Sequence, residues 1–197
     1  MLRFGWLLAL SAGAACGTPI TFSFMGTATG TLGTTPFTAA SYTVTSSADT
    51  SDVLFTADNY WVTAISSSID IAGLPPLTFT DPMFWADPQG AGDIVFGDLS
   101  TDPSLFPGIL GITVLFQGLE TYNLQSSFGP VYSPIDFPSS IFDSFQDIPT
   151  NEGLLSLVAS DETFQATEAT TPEPGSMLLA AIGLAGLPGV RRRMMRT

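Results

Sequence analysis

Residues 20–31 read Ile-Thr-Phe-Ser-Phe-Met-Gly-Thr-Ala-Thr-Gly-Thr. Ile20, Phe22 and Phe24 alternate with Thr21, Ser23 and Met25, and Thr27, Thr29 and Thr31 then alternate with Ala28 and Gly30. A period of two sends successive side chains to opposite faces of a pleated backbone, so this stretch predicts a long, half-buried strand. Gly33-Thr34-Thr35-Pro36 supplies turn-forming residues, and a second run at 38–45 with Tyr42 and Val44 completes a hairpin.

The same vocabulary of Thr, Ser, Phe, Val, Ile and Gly continues to about residue 165, with no convincing amphipathic helix. Further strands are predicted at 60–71, 77–80, 94–97, 109–116, 119–124 and 154–158. Turn signals at Asp58-Asn59, Leu74-Pro75-Pro76, Asp87-Pro88 and Gly129-Pro130 separate them. One short helix or 3₁₀ turn is expected at 139–146, where Ser140 caps a turn carrying Ile141, Phe142 and Phe145. No repeat of fixed period is visible. About eight strands at this spacing predict an all-β body over 18–164, a β-sandwich or jelly roll. Residues 165–171 hold only Gln, Ala, Thr and Glu and read as a flexible linker.

Composition limits the chemistry. Of 197 residues 45% are apolar and 12% charged, against about 25% charged in an ordinary domain, which supplies a core and argues against disorder. The net charge is −13, yet the five basic residues are all arginines, at positions 3, 191, 192, 193 and 196. Only Glu173 of the 18 acids falls in the tail, so residues 18–171 hold 17 acids and no base. Such a body cannot neutralise phosphates, which excludes nucleic acid as a partner. With no histidine, Ser-His-Asp and Cys-His catalysis and histidine-ligated zinc are unavailable. The single cysteine, Cys16, rules out an intrachain disulfide.

Both ends read as processing signals. Residues 1–17 carry Arg3, an apolar run and then small residues, the layout of a signal peptide handled by the Sec translocon and signal peptidase. Cleavage after Ala14, Cys16 or Gly17 fits equally, and Gly13 stands where a lipidation motif on Cys16 would need a large aliphatic residue. Near the other end, Pro172-Glu173-Pro174-Gly175-Ser176 precedes an apolar run at 177–190 and then Arg191-Arg192-Arg193. The prolines hold the segment extended, Ser176 is a suitable N-cap, and the arginines stay cytoplasmic under the positive-inside rule. A membrane helix over 177–190 reaches about 21 Å, short of a ~30 Å hydrocarbon core, a mismatch that snorkelling arginines or local thinning can cover.

The order of these elements resembles the PEP-CTERM sorting signal. Pro172, Glu173 and Pro174 match its recognition triplet, Gly175 and Ser176 its usual continuation, and Arg191, Arg192 and Arg193 its arginine cluster. The resemblance covers 172–197 alone. It implies an exported protein of a Gram-negative bacterium, held in the inner membrane by its tail, processed by exosortase and passed to the envelope surface or an exopolysaccharide matrix.

For the body, carboxylate chemistry is the one enzymatic mechanism left open. Asp49-Thr50-Ser51 comes within one residue of an aspartic-protease triplet but has no second copy and reads as a turn. Asp70 with Glu120 is one arbitrary pairing for a secreted carbohydrate-active enzyme, the alternative reading. Asp81, Asp87, Asp93, Asp98 and Asp102, with nearby glycines, raise calcium as a cofactor, although no known calcium-loop spacing is present. Trp85 beside Phe84, between Asp81-Pro82 and Asp87-Pro88, reads as a loop aromatic and the candidate glycan contact. The expectation is a non-enzymatic envelope or matrix protein with no catalytic residues, retained on anionic exopolysaccharide through divalent cations.

Overall fold

The structure, a computed structural model, describes residues 17–56, 58–88, 93–99, 109–113, 119–132 and 143–169. Twelve strands follow in order: β1 (Pro19–Leu32), β2 (Thr35–Asp49), β3 (Leu54–Thr56), β4 (Asn59–Thr63), β5 (Ser66–Ile71) and β6 (Leu77–Thr78), then β7 (Met83–Pro88), β8 (Asp93–Asp98), β9 (Ile109–Thr113), β10 (Phe128–Tyr132), β11 (Asp143–Thr150) and β12 (Gly153–Glu168). The body is all-β, and among the described residues the only helical pieces are 3₁₀ turns at Thr50–Asp52 and Leu119–Thr121. Every pairing is antiparallel. The strands lie in the order β3-β4-β7-β8-β9-β11-β12-β1-β2-β5-β6, with β10 also on β12.

This sheet folds over on itself. The Trp85 ring on β7 lies 5.1 Å from Phe22 and 4.8 Å from Phe24 on β1, and 5.7 Å from Phe164 on β12, strands that are not its sheet neighbours. One corner is a change of partner between adjacent residues: the Ala64 amide donates to Met83 of β7, the Ile65 amide to Ser47 of β2. The predicted strand at 60–71 therefore divides into β4 and β5, one in each layer. At the opposite corner β11 pairs with β9 at Asp143 and Ser144 and with β12 from Ser144 to Thr150. The result is a sandwich whose core holds Phe22, Phe24, Trp85, Phe96, Phe145 and Phe164, all essentially inaccessible to water.

Three strands change the phase of their buried residues, each across one irregular residue with positive φ. In β2 burial passes from Phe37 to Tyr42 across Ala39 (φ 46°), in β11 from Phe145 to Ile148 across Asp147 (φ 54°), and in β12 from Ala159 to Glu162 across Asp161 (φ 55°). A bulge puts two residues opposite one, so the same face of the strand stays toward the core while the sequence period slips by one. Opposite the β12 bulge stands Gly26, where a Cβ would come within 2.7 Å of the Ser160 carbonyl oxygen and 3.1 Å of the Tyr42 ring. Tyr42 reaches past this glycine and donates a 2.6 Å hydrogen bond to the buried Glu162 carboxylate. That bond offsets part of the desolvation of an acid in a chain without internal cations.

Several expectations need correction. The segment predicted as a strand at 119–124 forms the Leu119–Thr121 3₁₀ turn, because Leu119, Tyr122 and Leu124 must all face inward at a spacing no strand provides. The helical turn expected at 139–146 is strand β11 where it is described, from Asp143; residues 139–142 lie outside the described residues. Pairing with the open edge of β12 overrides a weak local cap. The strand at 154–158 runs on to Glu168, so 165–168 belong to the body and not to a linker. Ala166 is buried and pairs in register with Phe22 of β1 and Phe128 of β10. Trp85 is on a strand, with its ring 0% exposed, because Asp81-Pro82 precedes β7 and Asp87-Pro88 ends it within the ladder.

With acids as its only ionisable charges at neutral pH, the body experiences repulsion that nothing inside it compensates. Sodium chloride can only screen that repulsion, so the melting temperature of the folded protein is expected to rise steadily from about 10 mM to about 500 mM salt. A calorimetric or circular-dichroism salt series checks this, and a falling melting temperature contradicts it.

Candidate functional site

The sorting residues Pro172 to Ser176, the arginines 191–193, the apolar run 177–190 and residues 1–16 lie outside the described residues. What the structure shows is where the chain enters and leaves the body. Because β1 and β12 are antiparallel neighbours, the start of one lies beside the end of the other, with Ile20 opposite Glu168. The Ala169 amide closes the pair with a 2.8 Å bond to the Pro19 carbonyl. The start of β1 and the end of β12 therefore lie at one end of one sheet.

That end is tied down by polar contacts. The Thr18 amide donates to Thr50 Oγ1 (2.9 Å) and the Thr50 amide to the Thr18 carbonyl (3.1 Å). Asp49 caps the following 3₁₀ turn, its carboxylate accepting from the Ser51 amide and hydroxyl, which hold the Asp49 carboxyl below the usual carboxylate range. Ser127 Oγ accepts from the Glu168 amide (2.9 Å), and the Gln125 side chain donates to the Thr50 carbonyl (3.3 Å). The segment from Leu119 to Phe128 thus fastens the entry and exit strands together. Sequence reading missed this role, although the turn at 33–34 and two long strands already imply that Pro19 lies beside Asp49, as observed.

Tyr122 lies within this segment. Its ring packs 4.7 Å from Phe128 and 6.2 Å from Phe164, and its hydroxyl donates to the Ser126 carbonyl at 2.9 Å. Burial, and then the negative charges of Asp87 and Glu168, push its hydroxyl well above the usual tyrosine range. The folded state therefore keeps Tyr122 neutral while the unfolded chain ionises near pH 10. The stabilisation is intact below that pH and is lost as pH rises toward the folded value, by about 1.4 kcal/mol per pH unit for one proton. Alkaline denaturant titrations should show this slope in the parent and a shallower one in Tyr122→Phe; equal slopes would assign the effect elsewhere.

The other sequence candidates are dispersed. Asp49 forms the turn cap just described, without a second acid of the same motif. Asp70 is exposed on β5 and Glu120 belongs to the 3₁₀ turn. Of the acidic stretch, Asp87 and Asp98 are buried on β7 and β8, Asp81 precedes β7, Asp93 opens β8, and Asp102 lies outside the described residues. Among the described residues no three acidic or cysteine side chains gather to hold a metal ion. Trp85 cannot serve as the glycan contact, since its indole is sealed between the two layers.

Residues 170–193 match the PEP-CTERM protein-sorting motif. The match begins at the residue after Ala169, the last one described, and covers no part of the sandwich. No curated protein and no solved structure matches the chain. The motif supports an exported protein sorted through exosortase from a membrane-anchored precursor.

Proposed function

We propose that this protein is a non-enzymatic structural component of the bacterial envelope surface or extracellular matrix, delivered there as a folded sandwich by its tail. The observation that carries the reading is the direct succession of the sorting motif from β12, beside the start of β1. Between Ala169 and Pro172 stand only Thr170 and Thr171, so even a fully extended chain carries Pro172 no more than about 11 Å, and Pro174 no more than about 18 Å, from Ala169. Because the strands that adjoin the two signals, β1 and β12, begin and end side by side, the sandwich can fold against the outer side of the membrane while still attached, and a single cut near the motif frees it without disturbing a strand. An envelope-facing domain with a −17 charge stays soluble and resists self-association once released.

Intact mass spectrometry of the protein recovered from the cell surface or medium tests this. A mature chain lacking the residues beyond the motif and beginning near residue 15 to 18 is the expected result. A surface-located chain that retains Arg191 to Arg193 would overturn it.

A further inference from the structure

Three of the large apolar side chains that the body exposes lie together. Ile65 is 71% exposed, Phe55 56% and Leu54 48%. Two routes place them at the end where β1 starts and β12 stops. The Ile65 amide donates to the Ser47 carbonyl at 2.8 Å, two residues short of Asp49, which pairs with Pro19. From Asp49 the 3₁₀ turn leads straight to β3, where Leu54 pairs with Trp61, and β4 runs from Trp61 to the corner at Ala64 and Ile65.

β3 is the last strand in the sheet order and, among the described residues, pairs with β4 alone. Leu54 and Trp61 stand on one face of this pair, Phe55 and Tyr60 on the other, with the last two rings 4.7 Å apart. Edge strands are commonly blunted by charge, yet all three residues of β3 are exposed and none is charged. Asp52 in the 3₁₀ turn and Asp58 in the turn between β3 and β4 flank the patch, and residues 4–190 hold no base to pair with them. Leu154 and Val158 on β12 and Tyr132 on β10 are exposed as well, but away from this end. Leu154 adjoins Gly33 at the far hairpin, Val158 pairs with Thr29, and Tyr132 stands opposite Thr163.

The chain beyond β12 identifies what lies against the patch. The precursor is anchored in a membrane, and the apolar run of its tail starts at Met177, eight residues past Ala169. Even fully extended, that link spans no more than about 29 Å. The far end of β1 is a further ~45 Å of strand away. The patch is thus on the part of the body that the tail keeps beside the lipid.

We infer that Leu54, Phe55 and Ile65 rest in the headgroup layer of the membrane while the tail is attached, and hold the sandwich in one orientation until the tail is cut. The inference rests on the delivery reading above and adds a lipid contact to it. Aliphatic and aromatic side chains partition into this layer, and rings with one polar atom, such as Tyr60 and Trp61, favour its boundary. Three side chains bind weakly by themselves. A short tether supplies an effective concentration in the millimolar range, so the contact forms in the anchored precursor and dissolves on release. Anionic lipid repels an acid-only body, which leaves a zwitterionic headgroup as the partner. A second copy carries the same charge, and a strand of three residues offers it few ladder bonds.

The test uses the full chain with Cys16→Ser, inserted through its tail into phosphatidylcholine vesicles that contain nitroxide-labelled phosphatidylcholine. A fluorophore is attached at Ile65→Cys, or at Thr34→Cys in the far hairpin as the control. Quenching at position 65 at least threefold stronger than at 34 is expected. Leu54→Ser with Phe55→Ser should lower it at least threefold at an unchanged melting temperature, and phosphatidylglycerol in place of half the lipid should lower it at low salt. Equal quenching at both positions, or quenching at 65 that a folded serine pair leaves unaltered, overturns the inference. The comparison of the two labels needs no substitution in β3, so it decides the matter even where the serine pair disturbs folding. A dimer of the released body that the serine pair abolishes would assign the patch to a second copy and also overturns it. Intact mass reads sorting independently, so a correctly trimmed chain whose label at 65 stays unquenched in the precursor refutes the contact and leaves the delivery reading standing.

Discussion

Trp85→Ala is expected to lose about 3–5 kcal/mol of folding stability, the range for deleting a large aromatic side chain from a close-packed core. The indole is 0% exposed and contacts aromatic rings on three other strands: Phe22 and Phe24 on β1, Phe96 on β8 at 4.8 Å and Phe164 on β12. It is therefore the point where the two layers of one folded sheet meet. Its removal leaves a cavity bounded by rings held by their own strands, which limits collapse. A domain of this size is stable by only about 5–15 kcal/mol, so the variant stands near the unfolding threshold at growth temperature. Trp85→Phe should cost less than half as much. It keeps most of the ring volume and removes the indole Nε1, which is buried without a hydrogen-bond partner among the described residues. Urea titrations of both variants check the pair. A loss below about 1 kcal/mol for the alanine variant would mean that other contacts hold the layers together.

Replacing Pro172, Glu173 and Pro174 with alanine should abolish tail processing while leaving the sandwich untouched. The three residues lie within the matched motif and beyond β12, the last described strand. Full-length precursor should accumulate in the membrane fraction, with the melting temperature of the body equal to that of the parent. Continued appearance of the trimmed form outside the cell would show that another segment directs delivery. Because the triplet follows β12 so closely, this comparison also separates a sorting defect from a folding defect, which a deletion reaching into 165–168 would confuse.

The hairpin of β1 and β2 was legible because alternation over a dozen residues and a Gly-containing turn admit one pairing. The tail was legible for a different reason: proline, apolar length and arginine charge act locally and need no partner. β7 was hidden by Asp-Pro at both ends, since the same dipeptide marks a loop when solvated and a strand end when a neighbouring strand supplies the ladder. β12 was cut short because Asp161-Glu162 looks like a solvated turn. The bulge at Asp161, together with the Tyr42 hydroxyl delivered over Gly26, helps to make an acid acceptable at position 162. Trp85 shows the same limit, because whether an aromatic faces water or core depends on which layer closes over it.

Composition and local order thus determined three things unaided: an all-β body, a purely acidic one, and a route of export through its tail. Each follows from residue types whose effect is short-range or simply additive, such as period-two burial, net charge and a contiguous motif. The fold-over of the sheet at Ala64 and Ile65, the burial of Trp85, and the shared end of β1 and β12 were decided only by tertiary structure. All three arise from pairings between residues far apart in the chain, where register and bulges set which side chains become neighbours, and a one-residue slip reverses the outcome.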